Sequence, residues 1–98
     1  MAMLNDCKTA LRVSSSNTVF DGEISDLISA CQQDLILAGI SEAKVEDDAD
    51  ILIKRAIVIY CKANFGYDNQ DADRFQKSYN SLKMSLALST DYSGGDNN

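Results

Sequence analysis

Between Asp21 and Gly39 the apolar residues Ile24, Leu27, Ile28, Cys31, Leu35 and Ala38 trace one face of a helix. Asp21 is an N-cap candidate, because its carboxylate can accept unpaired amides of the first turn. Glu23 and Asp26 sit near the start, where the helix dipole favours negative charge. Gly39 supplies the left-handed residue that ends such a helix, and Ile40 can fold back onto it as the apolar contact of a Schellman motif. Start, face and stop agree. A chain with this segment at its centre must bury an apolar stripe against other elements, and their periods are helical too.

Met3–Val13 places Leu4, Cys7, Ala10 and Leu11 on one face, predicting a short first helix. Ser14-Ser15-Ser16-Asn17 follows, a polar run that competes for backbone hydrogen bonds and favours a turn. After Gly39, the acidic stretch from Ser41 to Ala49 predicts a connection, with Val45 dipping into the core or forming a brief extended piece. Asp47, Asp48 or Asp50 then caps a third helix from Ile51 to about Phe65, closed by Gly66. Ala56–Cys61 alone also suits a buried strand, since Ile and Val are β-branched. The length, acidic cap and following Gly favour helix, and a helix apolar nearly all round belongs at the centre. Tyr67–Gln70 reads as a turn. Asp71 and Asp73 open a fourth helix to about Leu88, whose Ala72, Phe75, Tyr79, Leu82 and Leu86 make a narrow seam for one neighbour. Met84 and Leu88 fall off that seam, where another subunit can meet them. The absence of Pro fits long helices with short joints.

The fold expected is all-α, a bundle of about four helices over residues 1–88, followed by a flexible polar tail over 89–98 with Tyr92 as its one anchor. With 98 residues the chain makes one domain of marginal monomer stability, which packing against copies of itself would raise. No apolar run approaches the roughly 20 residues that span a bilayer. Met1–Leu11 carries Asp6 and Lys8 and no secretory core, so no signal peptide is expected.

Catalytic chemistry finds few candidates. There is no His. Cys7, Cys31 and Cys61 are spaced too widely for a metal site and fall among apolar neighbours, as buried reduced thiols do. Cys7 and Cys61 each precede a lysine, but adjacent helical residues point in different directions. Glu46, Asp47, Asp48 and Asp50 lack the alternating ligands, central Gly and final Glu of a calcium loop. Asp68 to Asp73 comes closer, with oxygens at Asn69, Asp71 and Asp73. Counted from Asn69, Arg74 then stands at the Gly position and Asn80 at the final Glu, so capping explains the cluster better. No catalytic residue, metal ligand or cofactor is expected.

The net charge is −6, with nine basic residues scattered among fifteen acidic ones. An independent grip on phosphate backbones needs clustered Lys and Arg, so free nucleic-acid binding is not expected. Arg55 and Lys62 share a helical face, and Lys77 and Lys83 lie on the fourth helix with Arg74. Such a strip is either a solvated or subunit-facing surface or a contact to an acidic partner, protein or passing DNA.

Phe20–Ile40, followed after the acidic connection by Asp48–Ser89, resembles the small head–tail connector proteins of long-tailed phages, often labelled adaptor or DNA-packaging proteins. The resemblance is carried by Asp34-Leu35 with Ala38-Gly39-Ile40, by the helix Ile53–Gly66 ending in an aromatic and Gly, and by Arg74-Phe75 with Tyr79 and Leu82. It implies a structural subunit that forms a ring, commonly a dodecamer, below the portal protein of the head. Such a ring extends the DNA exit channel and offers a platform to a tail or stopper protein, and DNA passes without sequence-specific binding. The implied location is the head–tail interface of the virion, after assembly in the host cytoplasm, with no membrane partner. A terminal segment typically reaches the portal in such rings, and Ser89, Tyr92 and Asp96 are the candidates here. Arg55, Lys62, Lys77, Lys83, Met84 and Leu88 are the candidates for subunit or channel contact. The alternative is a small acidic helical phage regulator that binds a host protein.

Overall fold

The computed structural model describes residues 2–66 and 69–93, and every regular element among them is helical. The elements are α1 (Ala2–Ala10), α2 (Asp21–Leu37), α3 (Glu42–Val45), α4 (Ile51–Asn64) and α5 (Ala72–Leu88). The body measures 45 × 28 × 18 Å, and its short axis is about two helix diameters. The four expected helices are present, with a fifth element between two of them. The acidic connection contains the single turn α3, which puts Val45 at 1% exposure in the core. Within the expected turn, Tyr67 and Asp68 lie outside the described residues.

The helix ends follow from local chemistry. Leu37 closes α2 as expected: Gly39 has φ 106°, Ile40 N–H donates to Leu35 O and Gly39 N–H to Ile36 O. Both Schellman bonds are therefore made, and Ile40 is buried. The same motif ends α1 three residues before the expected Val13. Val13 N–H donates to Lys8 O, Arg12 N–H to Thr9 O, and Arg12 occupies the left-handed position at φ 62°. No Gly or Asn marks that stop. At the other end of α2, Phe20 rather than Asp21 is the N-cap residue, without a side-chain bond. Asp21 instead turns to α1, where its Oδ1 lies 2.7 Å from Lys8 Nζ. Of the three acidic candidates for the α4 cap, Asp50 does the capping, accepting from Leu52 N–H at 3.0 Å and Ile53 N–H at 3.1 Å.

α4 is central, packing against α1, α2 and α5. Its Ile53, Ala56, Ile57 and Cys61 join Met3 and Cys7 of α1, Ile24, Ile28, Cys31 and Leu35 of α2, and Tyr79 and Leu86 of α5 in one buried core. Two contacts orient the bundle. Phe20, at the start of α2, stacks edge-on against Phe65, at the end of α4, with ring centroids 5.4 Å apart. At the opposite end Ser41 N–H donates to Tyr92 O, and Tyr92 Oη donates to Asp50 Oδ1. That second contact gathers the end of α2, the start of α4 and the end of α5.

Residues 89–93 of the expected tail are held against the bundle. Tyr92 serves as the anchor, and Lys44 Nζ lies 5.1 Å from its ring centroid. Gly94, Gly95 and Asp96 lie outside the described residues.

Candidate assembly surface

α4 and α5 leave a furrow between them on the side away from the core. Arg55, Val58, Ile59 and Lys62 form its α4 wall. Arg74, Phe75, Ser78, Ser81, Leu82 and Ser85 form the α5 wall. Spacing explains the walls: Arg55, Ile59 and Lys62 recur every three or four residues, as do Arg74, Ser78, Ser81 and Ser85. Every charged group in the furrow is a cation. Lys62 Nζ lies 5.5 Å and Arg74 Cζ 4.8 Å from the centroid of the Phe75 ring, so two cations use one aromatic. Arg74 also reaches Asp71, a pair more than half exposed on both sides. Arg55 and Lys62 have no carboxylate within 4 Å among the described residues.

The six residues expected to make subunit or channel contacts fall into three settings. Arg55 and Lys62 line the furrow. Lys77, Met84 and Leu88 form the outer crest of α5, with Met84 65% and Leu88 79% exposed. Lys83 lies on the α2 side of α5, in a second furrow. Its Nζ binds Asp34 Oδ2 at 2.9 Å, so it ties α5 to α2. Of the expected tail residues, Ser89 and Tyr92 are bonded to the bundle: Ser89 N–H donates to Leu86 O, Tyr92 O accepts from Ser41 N–H and Tyr92 Oη donates to Asp50.

Sequence reasoning missed the polar network behind Lys83. Tyr79 Oη donates to Asp34 Oδ2 at 2.6 Å, and the Cys31 thiol donates to Tyr79 Oη. Burial would raise the Asp34 carboxyl, but the bonds from Tyr79 and Lys83 outweigh it and hold the group below the usual aspartate range. Burial, then donation to Asp34, pushes the Tyr79 hydroxyl up. Burial pushes the Cys31 thiol up to about 12. A second thiol pair, Cys61 donating to Cys7 at 3.8 Å, is fully buried between α4 and α1. Donation to Cys7 and burial push the Cys61 thiol up. Cys31 and Cys61 thus stay protonated core thiols.

The sign of the Asp34 effect sets a pH dependence. A carboxyl with a depressed folded pKa adds stability that is present above its unfolded pKa, about 3.9, and lost as pH falls through the folded value. Asp34→Asn should therefore lower the melting temperature at pH 7, while its curve and the wild type's converge as the pH falls through the folded value. Thermal denaturation followed by circular dichroism across pH 2–8 checks this, and a constant gap over the whole range would remove Asp34 from the acid limb.

Among the described residues no group of His, Cys, Asp or Glu is placed to hold a metal ion, and no helix is long and apolar enough to cross a membrane. A further shallow furrow runs between α2 and α5, lined by Ala38, Asn80, Lys83, Met84 and Ala87. No residues converge there as a nucleophile and base would.

What the surface offers is contact area, and the comparison with known families accords with that. The family model described as phage connector protein matches residues 3–93. The chain belongs to the phage connector protein family. Neither a curated protein nor a solved structure matches it. The connector family is structural rather than enzymatic, and its members serve at the head–tail junction of the virion with portal and tail proteins as general partners. In this connector chain, the matched span takes in α1 from its second residue, α2 to α5, and the docked Tyr92.

Proposed function

We propose that the chain is a ring-forming adaptor that docks below the portal, extends the DNA exit channel and presents a platform to a tail or stopper protein. The observation that supports this is the apolar surface left in water at one end of the bundle. Leu37 is 84% exposed, Ile51 77% and Leu88 79%, and Tyr92 draws the segments that carry them to the same end. Leu52 and Met84 extend the patch. Burying an exposed Leu or Ile is worth about 1.5–3 kcal/mol, so this end favours assembly over the lone chain. The all-cationic furrow supports the same reading, since a chain of net charge −6 leaves three cations in a common groove.

Because Ser89 and Tyr92 are engaged by the bundle, we assign portal contact to the chain end that follows them, with Asp96 as its charged residue. Electron microscopy of the protein mixed with portal protein tests the reading. Rings seated on the portal are expected. A chain that stays monomeric or dimeric by light scattering with portal present would overturn it in favour of the regulatory alternative.

A further inference from the structure

The α4–α5 furrow has a counterpart on another side of the same molecule. On α2 the residues 24, 28, 31 and 35 point into the core. Opposite them, Glu23, Asp26, Ala30, Gln33 and Leu37 form an exposed stripe at helical spacing. Neither Glu23 nor Asp26 has a cation within 4 Å among the described residues. The stripe and the furrow do not share a side. On α5, Ser78, Ser81 and Ser85 face the furrow with α4, whereas Asn80, Lys83 and Ala87 face α2. A contact between stripe and furrow therefore has to join two copies, and it is head-to-tail rather than self-paired.

The two surfaces also match in level. The Phe20–Phe65 stack places the start of α2 beside the end of α4, so Glu23 and Asp26 lie at the height of Lys62, Arg74 and Phe75. The Ser41–Tyr92–Asp50 contacts place Leu37 at the height of Ile51 and Leu52. Glu23 and Leu37 are about 21 Å apart along α2, and Lys62 and Ile51 about 16 Å along α4. A neighbour displaced sideways, without tilting, sets carboxylates against cations at one end and Leu37 against exposed Ile51 and Leu52 at the other.

We infer that the α4–α5 furrow of one subunit receives the outer face of α2 from the next copy, with Glu23 and Asp26 paired to Lys62 and Arg74 and Leu37 packed on Ile51 and Leu52. This rests on the ring reading above. A head-to-tail contact whose rotation closes gives a ring, and the pairing offsets at the interface the repulsion between copies that each carry −6.

Charge exchange tests it. Assembly is measured by light scattering and electron microscopy, with and without portal, on variants whose melting curves show them folded. Lys62→Glu/Arg74→Glu should weaken assembly at least tenfold, as should Glu23→Lys/Asp26→Lys. The mixture of the two should form alternating assemblies, because each restores the other's missing charge. The neutral pair Glu23→Gln/Asp26→Asn keeps side-chain shape and should reduce the salt sensitivity of assembly. If wild type forms rings and both reversals do so equally well, the interface assignment is wrong and the ring stands. If the furrow reversal abolishes retention of double-stranded DNA while rings persist, the furrow is a DNA contact and the assignment falls. If wild type never assembles on portal, the ring reading itself fails and takes this with it.

Discussion

Ile57→Asp yields a chain with no cooperative unfolding transition. Ile57 is 0% exposed on the central helix, and its neighbours in the core are Ile53, Ala56, Cys61 and the inward residues of α1, α2 and α5. No described cation is part of that cluster, so the new carboxylate would have to ionise unpaired or remain protonated in an apolar setting. Either course costs several kcal/mol, on top of the loss of packed isoleucine. A domain of this size has about 5–15 kcal/mol in total, at the lower end for so short a chain. A melting curve like that of the wild type would show that α4 is not the centre of the bundle.

Asp21→Ala lowers stability by about 3 kcal/mol, the second largest effect expected of a single change. Lys8 is 2% exposed, and its ammonium has two partners, Asp21 Oδ1 at 2.7 Å and Ser15 O at 3.2 Å. Removing the carboxylate leaves a buried positive charge with one neutral acceptor. Asp21 is partly exposed although the Oδ1 that meets Lys8 is buried, which puts the effect at the lower end of the range for buried pairs. Lys8→Met in the Asp21→Ala background should recover most of the loss, since an apolar side chain of similar length then fills the site. Urea unfolding midpoints measure both. An Asp21→Ala midpoint within experimental error of the wild type would mean the ion pair contributes nothing to the fold.

The pair also marks where reading the sequence stopped short. Asp21 stands where an N-cap belongs and has the right chemistry for one, so local reasoning assigns it to the α2 amides. The partner that takes it away, Lys8, lies thirteen positions back on a helix whose angle to α2 no spacing reveals. Arg12 is a similar case. The rule that glycine ends helices found the stops at Gly39 and Gly66, but α1 ends on an arginine held left-handed by two backbone bonds. Lys83 was grouped with Arg55, Lys62 and Lys77 as a surface cation because charge on an exposed-looking helix position carries no sign of its partner. Asp34, its partner, is on a different helix.

The candidate surface was half legible. Arg55 and Lys62 share the furrow because seven residues on a helix return to one face, and Met84 and Leu88 are exposed where they depart from the α5 seam. The serines that form the other wall, Ser78, Ser81 and Ser85, have the same periodicity but no apolar or charged signal to draw notice. Apolarity throughout α4 gives no sign that its first turn is outside the core, yet Ile51 is 77% and Leu52 41% exposed at the bundle end.

What the sequence determined by itself is the helical class, the number of long helices, the Gly39 stop and the inward face of each segment. These depend on residues within a turn or two of one another, whose geometry is fixed by the 3.6-residue period and by the chemistry of caps. The tertiary structure decided which carboxylate caps and which one pairs, where the tail is held, and which apolar residues remain outside. Those outcomes depend on distances between helices far apart in the chain, and packing sets such distances only once all of the elements compete for one core.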